Sequence, residues 1–243
     1  LGNSYTSNKT GFAFFHEIFV KRHSKILTKA VKKQSVVILL IFSVLFVVIK
    51  KNPIMATQMN KITLTYLPYF VFIMYLINRS ASVTQAMFMN CDHSMLTYRI
   101  YRTPKVILGI FKERLKTLIL INLLPALLIS LGLAMTLYLS GGTDNPVNYL
   151  VIIVSIISMS IFFSVHYLVM YYLLQPYNAS IEMKSSTYKA VQYLTYFVAY
   201  FFMRIKMPTL YFGIAMSIFC VGYSLISLFI AYKYAPKTFK LRI

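Results

Sequence analysis

Met89-Asn90-Cys91-Asp92-His93-Ser94-Met95-Leu96-Thr97-Tyr98-Arg99 is a short, polar-started helical segment stranded between two long apolar runs, residues 63–77 and 117–140. Asn90 or Asp92 is placed to cap a helix start, because a short side-chain acceptor satisfies the free amide donors of the first turn. Met95, Leu96 and Ile100 then give a narrow apolar face, with Tyr98 and Tyr101 nearby. Thr103-Pro104 restarts a helix, Thr103 as cap and Pro104 at its first position, where a missing amide proton costs nothing. Ile107, Phe111, Leu115 and Leu118 carry one apolar stripe into the next run, while Lys105, Lys112, Glu113 and Lys116 stay polar. The helix after Pro104 is therefore expected to follow a membrane interface before turning in. Residues 90–116 make the hairpin around which the rest of the chain is arranged.

Outward from this hairpin the sequence is strongly apolar. Hydrophobic residues make up 58% of the 243 residues and charged residues only 12%, about half the share usual in soluble domains. Six apolar runs stand out, at residues 35–49, 63–77, 117–140, 149–174, 190–203 and 209–232. About 20 helical residues cross a hydrocarbon core of about 30 Å. The third, fourth and sixth runs meet that length; the others need flanking residues, whose lysines and arginines can snorkel. The expected fold is all-α, a polytopic bundle of six transmembrane helices over residues 35–243. Residues 1–34 precede it as an N-terminal segment. In that segment Phe12, Phe15, Phe19, Ile26 and Ala30 share one helical face and Lys21, Lys25 and Lys29 another. A basic amphipathic helix lying at the inner boundary of the membrane fits this pattern, as does an ordinary helix packed on the bundle.

The net charge of +20 does not point to nucleic acid, because the Lys and Arg fall between apolar runs rather than on one basic domain. Twenty of them, from Lys9 through the hairpin to Arg242, lie on one side of a six-span chain. Only Lys50, Lys51, Lys61, Arg204 and Lys206 lie on the other. The positive-inside bias then places both termini and the hairpin in the cytoplasm of a cell-membrane protein. On the opposite side, Gly141-Gly142-Thr143-Asp144-Asn145-Pro146 reads as a tight turn with a cap at Asp144 or Asn145. The sequons at Asn8, Asn78 and Asn178 all fall on the cytoplasmic side and read as chance matches. Cys91 and Cys220 do not make a disulfide or metal framework. The chain starts at Leu1 with a polar stretch and no signal-peptide pattern, leaving open a processed product or a C-terminal piece of a longer protein.

This layout resembles the membrane subunit of ABC-2-type transporters, with an amphipathic N-terminal helix, six spans and a cytoplasmic coupling helix where residues 90–101 fall. Phe88-Met89-Asn90-Cys91-Asp92-His93-Ser94-Met95-Leu96 is also similar to the coupling segment in permeases of uncharacterised Gram-positive bacterial ABC transporters. The resemblance implies that Asn90, Asp92, Met95, Leu96, Tyr98 and Arg99 form the ATPase-coupling helix, with Asp92, Met95 and Leu96 docking. It also implies two partners, a cytoplasmic ATP-binding subunit and a second permease half, the latter identical, different, or within a longer chain. The chain carries no G-x-x-x-x-G-K-[ST] phosphate loop, so ATP would be bound by the partner and no cofactor by this chain. A loop that merely packs against the spans is the competing reading of the hairpin.

Among ionisable groups only His166 falls well inside an apolar run, as a pathway residue or as a neutral histidine bonded to a neighbouring helix. Glu17, Asp92, Glu113, Asp144 and Glu182 all lie outside the runs, which argues against a proton- or sodium-coupled carrier. Tyr193, Tyr196 and Tyr200 share a face of the fifth run and offer either a path for a lipid-like or peptide cargo or plain packing. Ser160 and Ser164 form a small-xxx-small pair for close helix approach, and Pro68 and Pro125 can bend their helices. H-E-x-x-H is absent, and no metal or catalytic constellation is present. The expectation is a permease subunit of an ATP-driven exporter. A non-transporting scaffold or coupling subunit is the alternative, and a secondary carrier is third.

Overall fold

The computed structural model describes residues 10–241. Lys9, Arg242 and the Asn8 sequon lie outside the described residues. The first helix, α1 (Gly11–Lys51), is one continuous element of 41 residues. The expected amphipathic helix and first span are therefore not separate. No Gly or Pro interrupts residues 12–52, and Lys32-Lys33-Gln34 are good helix formers, so the helix propagates where hydropathy changes. Its basic part packs against the later helix α6 (Pro104–Leu139). Phe12 lies on Gly109, and His16 Nε2 is 2.8 Å from Thr117 Oγ1.

Asn52 ends α1 and caps α2 (Pro53–Thr65), accepting from the amides of Ile54 and Met55. The chain breaks at Tyr66-Leu67-Pro68, and the axis turns by 85° before the helical stretch Tyr69–Met95. The second apolar run is thus divided, because Pro68 occupies the cap position of α3 (Tyr69–Ile77). After Asn78-Arg79 the helix resumes as α4 (Ser80–Met87), passes through a π-helical turn (Phe88–Asp92) and ends in α5 (His93–Met95). The expected helix start at Asn90 or Asp92 is corrected here. Both lie inside a helix that began upstream, and Asn90 Nδ2 bonds back to Ala86 O at 2.8 Å. A 3-10 turn (Arg99–Arg102) leads to α6, with Pro104 at its first position. Thr103 occupies the N-cap position, as expected, but makes no side-chain capping bond; its hydroxyl donates to Ile100 O.

The remaining helices are α7 (Val147–Leu174), α8 (Ser186–Phe201) with a 3-10 turn (Phe202–Arg204), and α9 (Thr209–Thr238). In the turn before α7, Asn145 Oδ1 accepts from the Val147 amide. Among the described residues, α1, α6, α7 and α9 are long and apolar enough to cross a membrane, and the bent pair of α2 with Tyr69–Met95 is a fifth candidate. The expected count of six is not reached by length and composition, because α8 has 16 residues, about 24 Å.

The helices enclose two apolar clusters. One surrounds Phe88, Leu118, Tyr171, Tyr172 and Phe239 at the hairpin end. The other surrounds Ile129, Ile156, Met159, Phe163 and Phe212 farther along the bundle. Both ends of the described chain lie at the hairpin end, with Phe15 near Tyr101 and Thr238 bonded to Tyr172 O. The opposite end gathers Asn60, bonded to Gly142 O at 2.7 Å, and Thr209, bonded to Thr63 O at 2.7 Å. Exposed Leu40, Val44, Leu120, Leu225 and Phe229 form the apolar exterior expected of a protein solvated by lipid.

A polar layer lies inside this bundle at Asn122. Its Oδ1 accepts from the Arg79 amide at 2.9 Å, mending the α3–α4 break, and its Nδ2 lies within 3.0 Å of Ser80 Oγ, Ser164 Oγ and Leu118 O. Ser160 Oγ donates to Asn122 O at 3.2 Å, so the small pair on α7 faces α6. We predict that Asn122→Leu lowers the melting temperature in detergent, by a loss of about 1–2 kcal/mol. Ser217→Ala, which removes a bond made only within its own helix, should leave it nearly unchanged. Equal melting of the two variants would show that the layer ties nothing together.

Candidate functional site

The π-helical turn directs Asp92 inward. A π turn shifts the register of a helix by one residue, and such turns are frequent at functional sites. Arg114 on α6 donates through Nη1 and Nη2 to both Asp92 oxygens. The Tyr171 hydroxyl donates to Asp92 Oδ2, and Arg114 Nη1 also reaches the Tyr172 hydroxyl at 3.1 Å. Asp92 is 2% exposed and Arg114 1%. Phe111 meets Tyr172 edge-on, and Phe239 stacks on Tyr172 at 4.2 Å. Thr238 Oγ1 donates to Tyr172 O at 3.0 Å, which brings the end of α9 into the cluster. One buried ion pair thus joins the end of the helical stretch Tyr69–Met95, the descending helix, to α6, α7 and α9. The Asp92 carboxylate accepts three hydrogen bonds, two from Arg114 and one from Tyr171.

Beyond Asp92 the hairpin buries Leu96 and leaves the rest of its tip at the surface. Leu96 is buried, and Arg102 clasps the backbone beneath it, Nε donating to Leu96 O at 2.7 Å and Nη2 to Thr97 O at 3.3 Å. Tyr98 and Ile100 are 64% and 68% exposed, and Asn90 and Arg99 are exposed as well. Of the six residues assigned to the coupling helix, then, Asn90, Tyr98 and Arg99 are on the surface and Met95 is half-buried. Asp92 and Leu96 are inside, where they fasten the hairpin.

The α7–α8 connection flanks this site. Gln175 adopts a left-handed conformation at the end of α7, and Tyr177 pairs with Met183 across a single bridge. Tyr177 stacks on Phe88 at 4.8 Å, and burial pushes its phenol above the ordinary range. His93 Nε2 lies 2.8 Å from Ala179 O, fixing the hairpin to this loop. At the loop's exposed edge, the hydrogen bond and charge of Lys184 hold the Glu182 carboxyl below its ordinary value.

Of the expected pathway residues the structure brings Tyr193, Tyr196 and Tyr200 near one another and engages His166 elsewhere. His166 Nδ1 is 2.6 Å from the Tyr223 hydroxyl and Nε2 3.0 Å from Thr195 Oγ1, with Phe162 stacked on the ring. Both nitrogens are engaged, and the residue bridges α7, α8 and α9. Tyr193 and Tyr196 instead line an open groove of about 580 Å³ between α3 and α8. Tyr200 packs edge-on against Phe72 and stacks with Tyr196. Among the described residues, no group of three His, Cys, Asp or Glu side chains could hold a metal ion.

Arg114, Tyr171 and Tyr172 are the functional residues that the sequence reading passed over. Arg114 was counted as a loop cation, yet it lies three residues after Phe111 and four before Leu118, on the apolar stripe itself. A cation on the buried face of a helix calls for a carboxylate, and Asp92 lies 22 residues upstream. Compared with models of protein families, with curated proteins and with solved structures, the chain matches none.

Removing one partner of a buried ion pair strands the other, so Asp92→Ala or Arg114→Ala should each cost about 3–5 kcal/mol. The paired change Asp92→Leu with Arg114→Met should recover much of that loss. Thermal unfolding in detergent measures both, and a double variant no more stable than either single one would contradict the coupling.

Proposed function

We propose that this chain is the membrane subunit of an ATP-driven exporter of the ABC-2 type, moved by a separate cytoplasmic ATP-binding subunit that docks on the hairpin. The observation that carries this reading is the joint between surface and spans. The exposed tip, Tyr98, Arg99 and Ile100, is fixed through Leu96 and Arg102 to the buried Asp92–Arg114–Tyr171–Tyr172 cluster. A push on the tip reaches α6, α7 and α9 together, because the cluster cannot open without stranding a charge. A transport cycle needs an external source of free energy that favours two membrane states in turn. The ATP for it would be bound by the partner.

In this reading the chain crosses the membrane six times, through α1, the Tyr69–Met95 stretch, α6, α7, α8 and α9. The 16 residues of α8 and the three of its 3-10 turn reach about 30 Å. The ends of the described chain and the hairpin share one end of the bundle, and the Lys and Arg excess would make that end cytoplasmic. The aromatic α3–α8 groove with Tyr193, Tyr196 and Tyr200 would face a second permease half across the pathway.

The test leaves the buried cluster intact and changes the tip. Tyr98→Ala with Arg99→Glu and Ile100→Asp should reduce the ATPase activity co-purifying with the chain from native membranes at least about tenfold. A loss of about 1.4 kcal/mol in binding suffices for each factor of ten. Helical content and melting temperature should stay at the wild-type level. Undiminished ATPase co-purification by this triple variant would rule out the tip as the docking site.

A further inference from the structure

A second feature, remote from the hairpin tip, is built for an anionic amphiphile. Between α1, α2, α3 and α6 lies a cavity of about 680 Å³ whose walls include Ile38, Phe70, Ile73 and Leu133. It spans α1 from Ala30 to Leu45, about 22 Å of helix, which exceeds the roughly 15 Å of a single leaflet's hydrocarbon. Val37 and Ile41 at its edge are exposed, so it opens sideways. Its lining includes Thr63 and Thr136, whose hydroxyls donate within their own helices, and is otherwise apolar except at the hairpin-proximal end, which Lys33, Gln34 and Arg79 line.

That end lies at the polar boundary of both helices. Lys33 and Gln34 immediately precede the apolar run 35–49 of α1, and Arg79 follows the last apolar turn of α3. Gln34 Oε1 accepts from Arg79 Nε at 2.9 Å, which holds the guanidinium at the mouth. The Arg79 amide is itself fixed by Asn122. Among the described residues no carboxylate pairs with Lys33 or Arg79; four of the five acids are engaged by Lys21, Arg114, Lys116 and Lys184, and the fifth, Asp144, lies in the turn between α6 and α7 at the opposite end of the bundle. Two cations at the headgroup level, over an apolar slot, complement a phosphate carrying an acyl chain.

We propose that this cavity seats one anionic phospholipid of the surrounding leaflet, its acyl chain between α1 and α3 and its phosphate between Lys33 and Arg79. This proposal does not depend on the transport reading, only on the chain lying in a bilayer.

The chain contains no Trp, so a single Trp reports on its own surroundings. The full chain carrying Phe70→Trp, which places the indole in the cavity, is reconstituted with brominated phosphatidylglycerol or brominated phosphatidylcholine at equal mole fractions. Brominated phosphatidylglycerol should quench with an apparent affinity about fivefold higher, as expected for one cation's worth of headgroup attraction or more. The same chain with Lys33→Gln and Arg79→Gln should lose that preference, and Arg79→Lys alone should largely keep it. Leu225→Trp, on the exposed face of α9, should show no preference. Equal quenching by the two lipids at Phe70→Trp, no quenching there at all, or a preference surviving both Gln substitutions would each overturn the proposal. Circular dichroism of each variant confirms that the helices are retained.

Discussion

Arg114 and Asp92 are both almost wholly buried, and opposite charges in apolar surroundings stay together because separating them strands a charge that water cannot reach. That constraint organises the hairpin end. Asp92 is delivered by a π-helical turn at the foot of the descending helix, Arg114 by α6, and the hydroxyls that complete the cluster by α7. Phe239 and Thr238 then close α9 over Tyr172. Three spans and the hairpin are held at one point by directional bonds, whereas apolar packing alone would let them slide. In a bilayer this matters more than in water, since lipid supplies no hydrophobic force to bring helices together.

The stripe of α6 that holds this pair also holds the second polar layer. Ile107, Phe111, Arg114, Leu118 and Asn122 recur at spacings of three and four, and Leu118 between the two polar residues is fully buried. Arg114 binds the lower end of the descending helix, and Asn122, about 12 Å farther along, binds its break at Arg79. The two ties fall on one face, so the register between the descending helix and α6 is set twice. A slip by one residue would break both. The break between α3 and α4 is therefore stabilised by a specific acceptor, Asn122 Oδ1, for an amide that the helix itself leaves unpaired.

How much of this was legible depends on whether a residue's partner is local. The long runs leading to α6, α7 and α9 could be read because hydropathy is uninterrupted and Gly141-Gly142 and Pro146 end or restart helices by backbone rules alone. The continuity of α1 from its basic part into the first apolar run is not legible from hydropathy, which changes where the helix does not. Helicity is a backbone property, and Lys32-Lys33-Gln34 does not interrupt it. Capping by Asn90 and Asp92 failed for a different reason. Both residue types suit a cap, but Asp92 is committed to Arg114 and Asn90 bonds back along its own helix. Pairing across 22 residues cannot be read from local preference, although a cation on an apolar stripe gives it away once the stripe is drawn.

Cations in this chain act at two depths, and separating them changes what the charge count means. Arg79 and Arg114 were tallied as loop charges, yet one is half-buried at a cavity mouth and the other is enclosed. Removing them leaves eighteen against five, so the charge asymmetry from which an orientation is proposed does not rest on them. The surface lysines and arginines orient the chain without needing a fixed geometry. The two inner arginines work through geometry. Arg114 has its carboxylate within the protein, whereas Arg79 is held in place by a neutral glutamine and, among the described residues, pairs with no acid. A guanidinium fixed at the boundary of the apolar zone without an internal counter-charge must find its anion outside the chain, and at that depth the surrounding leaflet supplies phosphate.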